Sequence, residues 1–345
     1  MTAPLLEVKD LKKHFVVARG LFGGAQTVLK AVDGVSFTLN QGETLGLVGE
    51  SGCGKSTVGK LIMRLLEPTS GTVKLHDKDM ANASGRELRE FRRQVQMVFQ
   101  DPFASINPRL RAGKIVGEPI ENYERIGAAE LESRVAQLFD KVGLRRDGQG
   151  RFPFEFSGGQ RQRLGIARAL ALSPAVIVAD EPVSALDVSV QAQVINLLVD
   201  LQAEFKLAYI FISHDLAVVE HIAHRVAVMY LGKIVEIGPK RTIFSAPRHP
   251  YTQALISAAP IPDPRLRGRQ TRIVLEGDVP SPVNVPAGCA FHTRCPRAFD
   301  RCRTETPALK LVENGDHFVA CHLNDGSGVL PAERELASHP VVTAK

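Results

Sequence analysis

Residues 49–56, with the sequence GESGCGKS, place glycines, a lysine and a serine at the spacing G-x-x-x-x-G-K-[ST]. This spacing is typical of a loop that binds phosphates, because glycines let successive backbone N–H groups curl around a phosphate with no Cβ in the way. Lys55 is expected to reach the β- and γ-phosphates of a nucleotide, and the Ser56 hydroxyl to ligate Mg²⁺. An apolar run before the loop and helical periodicity after it predict the strand and the helix that such a loop connects.

A pair of adjacent carboxylates can supply the second half of this chemistry. Asp180 and Glu181 follow the strand-like run AVIVA, 125 positions after Lys55. Taken alone, such a pair is usually a solvated loop. Beside a phosphate loop it can divide the work, with Asp180 holding Mg²⁺ and Glu181 polarising the attacking water. We therefore expect hydrolysis of a phosphate bond at the end of this strand.

The five cysteines form a third group of reactive side chains. Cys53 lies inside the phosphate loop, where the start of a helix is expected to lower the pKa of its thiol. The other four have the spacing C-x5-C-x6-C-x18-C, at Cys289, Cys295, Cys302 and Cys321. The N-terminus has no secretory-signal pattern, so we expect a reducing compartment, which favours thiolate ligation over disulfides. Four thiolates can bind either Zn²⁺ or an iron–sulfur cluster, and the wide gaps between the cysteines favour the cluster. His292, His317 and His322 are spare ligands if one cysteine is not used.

The composition is that of a globular chain. Of 345 residues, 44% are hydrophobic and 23% charged, which is sufficient for two or three structural units. The net charge of +6 and the pI of about 9.1 come from basic residues interleaved with acids, except in the stretch 265–303. This pattern indicates an ordinary solvated surface rather than a nucleic-acid-binding face. The longest apolar runs are far shorter than the ~18–20 residues of a membrane-spanning helix and are predicted to be buried strands.

Periodicity predicts how the chain is organised. Alternation at 5–9 and 27–39 predicts antiparallel strands, and strand-like runs at 175–180, 207–213 and 225–230 alternate with helical patterns. These patterns predict an α/β fold: a phosphate-loop core with an antiparallel β subdomain, a helical insert, and a small cysteine-containing C-terminal unit after a Pro- and Arg-rich linker. The predicted parts are the first part of the core, the insert, the second part of the core and the C-terminal extension, at 1–100, 101–165, 166–246 and 247–345.

Residues 156–163, FSGGQRQR, resemble the signature sequence of ATP-binding-cassette (ABC) ATPases, which is not found in other phosphate-loop enzymes. Further elements follow in that family's order: Gln100 in VFQDP, the SALD loop at 184–187 and His214 in FISHD. Phe15 lies where the family places an aromatic ring against adenine. The segments QDPFASINPR and HPYTQAL and the four-cysteine tail are similar to the ATPase subunits of dipeptide and oligopeptide importers, and most similar to the dipeptide-type subunit. The resemblance covers essentially the whole chain.

The resemblance implies an ATP site that is shared between two cassettes. The implied ATP-binding residues are Phe15, Gly49, Glu50, Ser51, Gly52, Cys53, Gly54, Lys55, Ser56 and Thr57. The implied Mg²⁺ ligands are Ser56, Gln100 and Asp180. In catalysis Glu181 activates water, His214 holds the γ-phosphate and Gln100 senses it. The implied contacts with the partner's nucleotide come from Ser157, Gly158, Gly159 and Gln160, and Asp187 communicates across the dimer.

The resemblance also implies partners and a location. A second, different cassette subunit, two transmembrane permease subunits and, indirectly, a periplasmic or extracellular peptide-binding protein are expected, at the cytoplasmic face of the inner membrane. For the four cysteines it implies a [4Fe–4S] cluster, with Zn²⁺ as the alternative. The same machinery could import nickel, glutathione or opines. A soluble cassette ATPase acting on nucleic acid or ribosomes is a different-class alternative, but such proteins usually carry paired cassettes or long insertions.

Overall fold

Strands and helices alternate along the chain as the periodicity predicts. The computed structural model describes residues 3–18, 27–80, 83–259, 273–312 and 315–325. The strands are β1 (Leu6–Ala18), β2 (Thr27–Leu39), β3 (Thr44–Val48), β4 (Ser70–Leu75), β5 (Lys78–Asp79), β6 (Val95–Val98), β7 (Val176–Asp180), β8 (Ala208–Ile212), β9 (Arg225–Tyr230), β10 (Lys233–Pro239), β11 (Lys310–Leu311) and β12 (Phe318–Val319). The helices are α1 (Lys55–Ile62), α2 (Gly85–Gln94), α3 (Pro102–Ser105), α4 (Ala112–Tyr123), α5 (Ala128–Lys141), α6 (Gly158–Leu170), α7 (Val188–Phe205), α8 (Leu216–Ile222), α9 (Lys240–Ser245), α10 (Pro250–Ser257) and α11 (Asp300–Thr304).

The central sheet is built on parallel strands that have no polar face. Its order within the described residues is β11-β12-β10-β9-β3-β8-β7-β6, and the five strands from β9 to β6 run parallel. Every position of β3, β7 and β8 is buried, as expected of strands covered on both faces. The predicted strands at 175–180, 207–213 and 225–230 are therefore confirmed as β7, β8 and β9.

A second, antiparallel sheet packs against the first. Its order within the described part of the chain is β2-β1-β4-β5. Leu6 and Leu11 of β1 and Val35 of β2 share one hydrophobic core with Leu45 of β3 and Val58 of α1. The predicted antiparallel β subdomain is confirmed, and its core holds β2 close to the phosphate loop.

The chain between the two halves of the central sheet is largely helical. Helices α3 to α5 and two 3-10 turns, at Arg146–Gly150 and Pro153–Glu155, precede α6. Their apolar faces belong to the second hydrophobic core, which includes Ile115 of α4, Phe139 of α5 and Leu164 of α6. Strand β6, which directly precedes this helical stretch, was not among the predicted strands.

The C-terminal extension joins the central sheet. β12 pairs antiparallel with β10, with Val319 opposite Glu236, and β11 continues the sheet beyond it. The Glu236 carboxylate is fully buried. It accepts hydrogen bonds from His317 Nε2 at 2.8 Å and from the backbone N–H groups of Arg248 and His249, at 2.7 and 3.0 Å. Most of the predicted linker and the last twenty residues of the chain lie outside the described residues.

The parallel strands bring the predicted chemistry to one edge. The phosphate loop follows β3, Gln100 follows β6, Asp180 ends β7 and His214 follows β8. Because carboxyl ends of parallel strands meet at the same edge, this edge is where a ligand is expected. Across the described ranges, no helix combines the length and the apolar composition that crossing a membrane requires.

Candidate functional site

The phosphate loop runs from the end of β3 to the first turn of α1. Gly54 has φ +107°, and a Cβ there would lie 2.2 Å from the carbonyl oxygen of Ala31, so this position requires glycine. Lys55 is only 5% exposed, and its Nζ donates hydrogen bonds to the carbonyl oxygens of Gly49 at 2.7 Å and Glu50 at 3.1 Å. The ammonium is thus folded back onto the loop, where phosphate oxygens can replace these two acceptors.

The remaining positions of the loop differ in exposure. Ser51 and Gly52 are exposed, and Thr57 is half-buried in α1. Gly52 has φ +79° and no atom within 4 Å of the place where a Cβ would stand. Open space at this position leaves room for a phosphate to approach the backbone N–H groups.

Ser56 and Asp180 form the oxygen pair predicted for Mg²⁺. The Ser56 hydroxyl donates a hydrogen bond to Asp180 Oδ1 at 2.8 Å, although 124 positions separate the two residues. Burial raises the pKa of the Asp180 carboxyl, and the charge of Glu181 adds to this, while the hydrogen bond from Ser56 opposes it. Hydroxyl and carboxylate oxygens are the ligands that Mg²⁺ prefers, so this pair fits the ion.

Glu181 is held between two other predicted catalytic residues. Gln100 Nε2 donates a hydrogen bond to Glu181 Oε2 at 2.9 Å, and His214 Nδ1 lies 3.2 Å from Glu181 Oε1. Glu181 has a positive φ of 45°, which turns the chain sharply after β7. The structure therefore brings together Gln100, Asp180, Glu181 and His214 around the start of α1.

The expectation for the thiol of Cys53 was wrong. Cys53 is 4% exposed and belongs to the hydrophobic core between the two sheets. Burial raises the pKa of this thiol, and the attraction of the nearby Lys55 ammonium only partly offsets it. The start of a helix lowers a thiol's pKa only where the thiolate remains solvated, and here the side chain points into the core.

Phe15 lies on β1, opposite Leu29 of β2. Its ring is half-buried, and Lys13 Nζ lies 5.1 Å from its centroid. β2 continues to Ala31, which contacts the phosphate loop at Gly54. Leu29, the partner of Phe15, thus lies two residues before the position of β2 that contacts the loop, and stacking of Phe15 on adenine stays a prediction.

The signature residues begin α6 on the surface. Ser157 is the N-cap: its hydroxyl accepts the N–H of Gln160 at 3.3 Å, and Gln160 Oε1 accepts the N–H of Ser157 at 2.9 Å. Ser157 and Gln160 are exposed, Gly158 is half-buried and Gly159 is buried against Val190. Across the described residues, no hydrogen bond or ion pair joins these four to the phosphate loop of the same chain. Asp187, at the N-cap of α7, is also exposed.

Two residues that contact the phosphate loop were missed from the sequence. The backbone N–H of Glu50 donates to the Tyr251 hydroxyl at 2.8 Å, and the Glu50 carboxylate binds Arg294. Both belong to the C-terminal extension. Tyr251 lies in the HPYTQAL segment, which was noted only as a family marker, and no local pattern points from either residue to the loop.

The four cysteines of the extension line one cavity of about 10 Å³. Burial raises the pKa of the thiols of Cys289, Cys295 and Cys321, the last to about 12, and the neighbouring thiols add to this. Within the described ranges, however, no group of three or more His, Cys, Asp or Glu side chains is arranged to hold a metal ion. The donor chemistry fits a thiolate-ligated group, whereas the arrangement and the space do not form a ready metal site.

The histidines predicted as spare ligands each make a polar contact within the chain. His292 Nδ1 lies 2.9 Å from the carbonyl oxygen of Cys289, and His317 Nε2 is bonded to Glu236. His322 Nε2 lies 2.9 Å from the carbonyl oxygen of Glu305. Each of these contacts occupies one ring nitrogen and fastens the extension together. His292 and His322 also line the cavity of the four cysteines, whereas His317 does not belong to its lining.

Comparison with known families identifies two regions. Residues 32–184 match the ABC transporter family, and residues 235–302 match the family described as "Oligopeptide/dipeptide transporter, C-terminal region". The second match contains most of β10, Tyr251 and Arg294, as well as three of the four clustered cysteines.

Curated relatives are similar over nearly the whole chain. A probable peptide ABC transporter ATP-binding protein, y4tS of Sinorhizobium fredii, is 58% identical over 94% of this chain and 91% of its own length. The oligopeptide transport ATP-binding protein AppF of Bacillus subtilis is 54% identical over 92% of this chain and 97% of its own length. The di/tripeptide transport ATP-binding protein DppF of Pseudomonas aeruginosa is 50% identical over the same shares, 92% and 97%.

Solved structures match the cassette. The ATP-binding cassette MJ0796, in a dimeric post-hydrolysis state with ADP and Pi, has a TM-score of 0.61 at 27% identity and covers 68% of this chain and 99% of its own. The cbiO1 protein of Clostridium perfringens, part of the transporter complex cbiONQ, also has a TM-score of 0.61, at 25% identity. This match covers 70% of this chain and 91% of the cbiO1 chain. The chain therefore belongs to the ABC transporter family, and is an ATP-hydrolysing cassette that carries the oligopeptide/dipeptide transporter C-terminal region.

Proposed function

We propose that this chain is the energy-coupling ATPase subunit of an importer of dipeptides or oligopeptides. The observation that carries the ATPase part is the position of Glu181, held between Gln100 and His214 beside the phosphate loop. The peptide part rests on relatives named as peptide transport proteins at 50–58% identity over more than nine-tenths of the chain.

The roles of the site residues follow from their positions. Lys55 exchanges its two carbonyl acceptors for the β- and γ-phosphates of ATP, and the glycine-rich loop offers its N–H groups to the same oxygens. Ser56 and Asp180 hold Mg²⁺, with Gln100 completing the set. Mg²⁺ neutralises phosphate charge when bound. Glu181 takes the proton of the attacking water, and His214 contacts the γ-phosphate.

The signature residues complete the site of a second cassette. Ser157, Gly158, Gly159 and Gln160 begin a helix at the surface, with the positive end of its dipole free to face a phosphate. Val188, next to Asp187, is 82% exposed, and an apolar side chain this exposed at the start of a helix is suited to an interface. The partner is proposed to be a different cassette subunit, so the isolated chain is a weak ATPase whose specific activity rises with its concentration.

Coupling to transport runs through the helical insert. Gln100 lies between β6 and α3, so closure around ATP pulls on the first residues of the insert. The insert is proposed to dock on one of two transmembrane permease subunits at the cytoplasmic face of the inner membrane. A peptide-binding protein on the other side of the membrane is proposed to deliver the peptide to them. A nucleic-acid or ribosome-associated role has no comparable support in these relatives.

Uptake by intact cells tests the transported solute. A strain that lacks this gene should lose uptake of labelled dipeptides and regain it when the wild-type gene, but not Lys55→Ala, is restored. Nickel, glutathione and opine uptake, measured in the same strains, should be unchanged. Normal dipeptide uptake in the deletion strain together with loss of one of the other three would replace the peptide assignment.

The four clustered cysteines are assigned as ligands of a [4Fe–4S] cluster with a structural role, with Zn²⁺ as the alternative. Their convergence on one cavity and the chemistry of four thiols support this assignment, although the cavity must widen to accept a cluster. Protein purified without oxygen should be brown, absorb broadly near ~400 nm and contain about four irons per chain. Colourless protein with one zinc would favour the alternative, and protein with neither metal would reject both.

A further inference from the structure

Glu50, the first residue after Gly49 in the phosphate loop, is held from two sides by the C-terminal extension. Arg294 Nη1 donates to Glu50 Oε2 at 2.7 Å, and Arg294 Nη2 donates to Glu50 Oε1 at 3.1 Å. The Tyr251 hydroxyl accepts the backbone N–H of Glu50 at 2.8 Å. Both the side chain and the backbone of one loop residue are therefore fixed by residues that lie 201 and 244 positions away.

The Arg294–Glu50 pair is well suited to fix geometry. The side chain of Arg294 is 8% exposed and that of Glu50 29% exposed, so water competes weakly for the arginine. The two parallel hydrogen bonds form a fork-to-fork contact, which sets orientation as well as distance. By contrast, the exposed ion pair of Arg145 with Asp147 joins residues only two positions apart.

Arg294 lies on a loop that backbone hydrogen bonds close. It lies between Cys289 and Cys295, and the N–H of Cys289 donates to the carbonyl oxygen of Cys302 at 2.8 Å. The N–H of Arg294 donates to the carbonyl oxygen of Phe291 at 3.0 Å. The cysteine-bearing loop thus fixes the backbone of Arg294, from which the guanidinium reaches Glu50.

Tyr251 is fixed by packing. Its ring is fully buried and lies 4.8 Å from the ring of Tyr230 and 5.4 Å from that of Phe291, centroid to centroid. The N–H of Tyr251 donates to His249 Nδ1 at 3.1 Å, and burial lowers the pKa of His249 to about 4, so this nitrogen stays available as an acceptor at neutral pH. The hydroxyl is therefore presented to Glu50 from a rigid cluster.

The phosphate loop needs such support because its glycines make it conformationally free. Gly49, Gly52 and Gly54 all have positive φ, and fixing such residues on binding costs more conformational entropy than fixing any other residue. The Glu50 N–H is already committed to Tyr251, so the N–H groups left for phosphates begin at Ser51. Holding Glu50 in place before ATP arrives removes part of the ordering cost of binding.

We propose that Arg294 and Tyr251 are positioning residues for ATP: the C-terminal extension preorganises the phosphate loop through Glu50. This inference rests on the proposed role of the loop in binding ATP. It gives the extension a direct part in the nucleotide site, in addition to any part in holding a metal or a membrane subunit. A purely structural role for the same contacts would affect unfolding of the chain without changing nucleotide affinity.

The test measures MgADP binding by calorimetry, since MgADP carries the β-phosphate and lacks the γ-phosphate that the ATPase reaction releases. Arg294→Ala should weaken binding about tenfold and Tyr251→Phe about threefold. Arg303→Ala, which removes an exposed arginine from the same region, should stay within about twofold of wild type. In steady-state hydrolysis, Arg294→Ala should raise KM for ATP more than it lowers kcat, because the change acts on binding.

Two further variants guard against misfolding of the extension. Arg294→Lys keeps the charge but cannot form the fork, so it should fold normally and still bind MgADP more weakly than wild type. Exchanging the partners, in Glu50→Arg with Arg294→Glu, should recover part of the affinity that Arg294→Glu alone loses. Unchanged MgADP affinity in Arg294→Lys, Arg294→Ala and Tyr251→Phe would overturn the inference, even if Tm falls. Wild-type protein that fails to bind MgADP would instead overturn the proposed function.

Discussion

Asp180 is 5% exposed, and its buried carboxyl has a raised pKa. A pKa that is higher in the folded than in the unfolded chain means that the folded chain favours the protonated acid. This group's contribution to stability is therefore complete below the pKa of a free aspartate and is lost as pH rises through the folded-state pKa. Above that pKa the buried charge destabilises the empty chain, and a bound cation offsets this cost. Asp180 is thus positioned to bind a cation, and this position lowers the stability of the chain without ligand.

Replacing Asp180 should separate stability from activity. In Asp180→Asn the buried charge is gone, so we expect a Tm at neutral pH equal to or above that of wild type, and ATP hydrolysis lower by about a hundredfold or more. The Tm difference should shrink at acid pH, where the wild-type carboxyl is protonated. Thermal unfolding from pH 4 to 8 checks this, with the exposed Asp200→Asn as control. A Tm that falls at neutral pH would contradict the account of burial.

Cys53 is a second residue whose burial controls its chemistry. Because its thiol is buried and its pKa is raised, it should be alkylated far more slowly than a free cysteine at pH 8, with or without ATP. Mass spectrometry of the alkylated chain measures this, with urea-unfolded protein as the fully reactive control. Rapid labelling that ATP abolishes would show instead that the thiol faces the nucleotide.

At the scale of elements, helix α6 depends on a close approach to α7. A Cβ added at Gly159 would lie 2.3 Å from Val190 Cγ1, whereas one added at Gly165 of the same helix meets no atom within 4 Å outside its own helix backbone. One glycine is thus required by packing, and the other only reduces helix propensity.

Alanine at these two glycines should have opposite effects. Gly159→Ala should lower the free energy of unfolding by about 1–3 kcal/mol, because it overpacks the contact with α7. Gly165→Ala should raise it by about 0.5–1 kcal/mol, because alanine favours the helix. Urea unfolding measures both, and Gly159→Ala combined with Val190→Ala should recover part of the loss. Equal effects of the two single changes would show that the contact does not control the packing.

Sequence patterns predicted elements well where burial is uniform. The runs that became β7 and β8 are buried at every position, so hydrophobicity alone located them. β6 was missed because four residues between α2 and α3 are too few to display a period, and β10 was not predicted either. The site residues of the phosphate loop and of the β7 end were located because their chemistry requires particular residue types at fixed spacings.

At the scale of the whole molecule, contacts between distant segments could not be predicted. Glu50 meets Tyr251 and Arg294 only because α10 and the cysteine loop fold back over the carboxyl end of β3. Likewise, the pairing of β12 with β10 joins the cysteine-containing extension to the central sheet. Neither periodicity nor a motif in the local sequence of these segments indicates which distant segment each one contacts. The structure therefore adds the tertiary links that turn separate motifs into one site.

The assembly of two cassettes is the largest scale: Ser157 and Gln160 of the signature are exposed, and all four signature residues are proposed to act on a partner cassette. If that is so, a chain that binds ATP without hydrolysing it should remain closed on its partner. Glu181→Gln removes the proposed base and keeps a side chain of the same length between Gln100 and His214. It should hydrolyse ATP about a thousandfold more slowly than wild type while still binding it.

The most direct measurement is size-exclusion chromatography of Glu181→Gln, with and without MgATP, beside phosphate release from the same samples. At high protein concentration, or with its partner cassette present, the account predicts an ATP-dependent shift to a cassette dimer and almost no phosphate release. The double variant Glu181→Gln with Ser157→Arg, which places a bulky charge at the signature N-cap, should bind ATP and remain monomeric. The exposed Glu220→Gln should behave as wild type. Hydrolysis by Glu181→Gln at the wild-type rate, in a species that stays monomeric, would contradict the account.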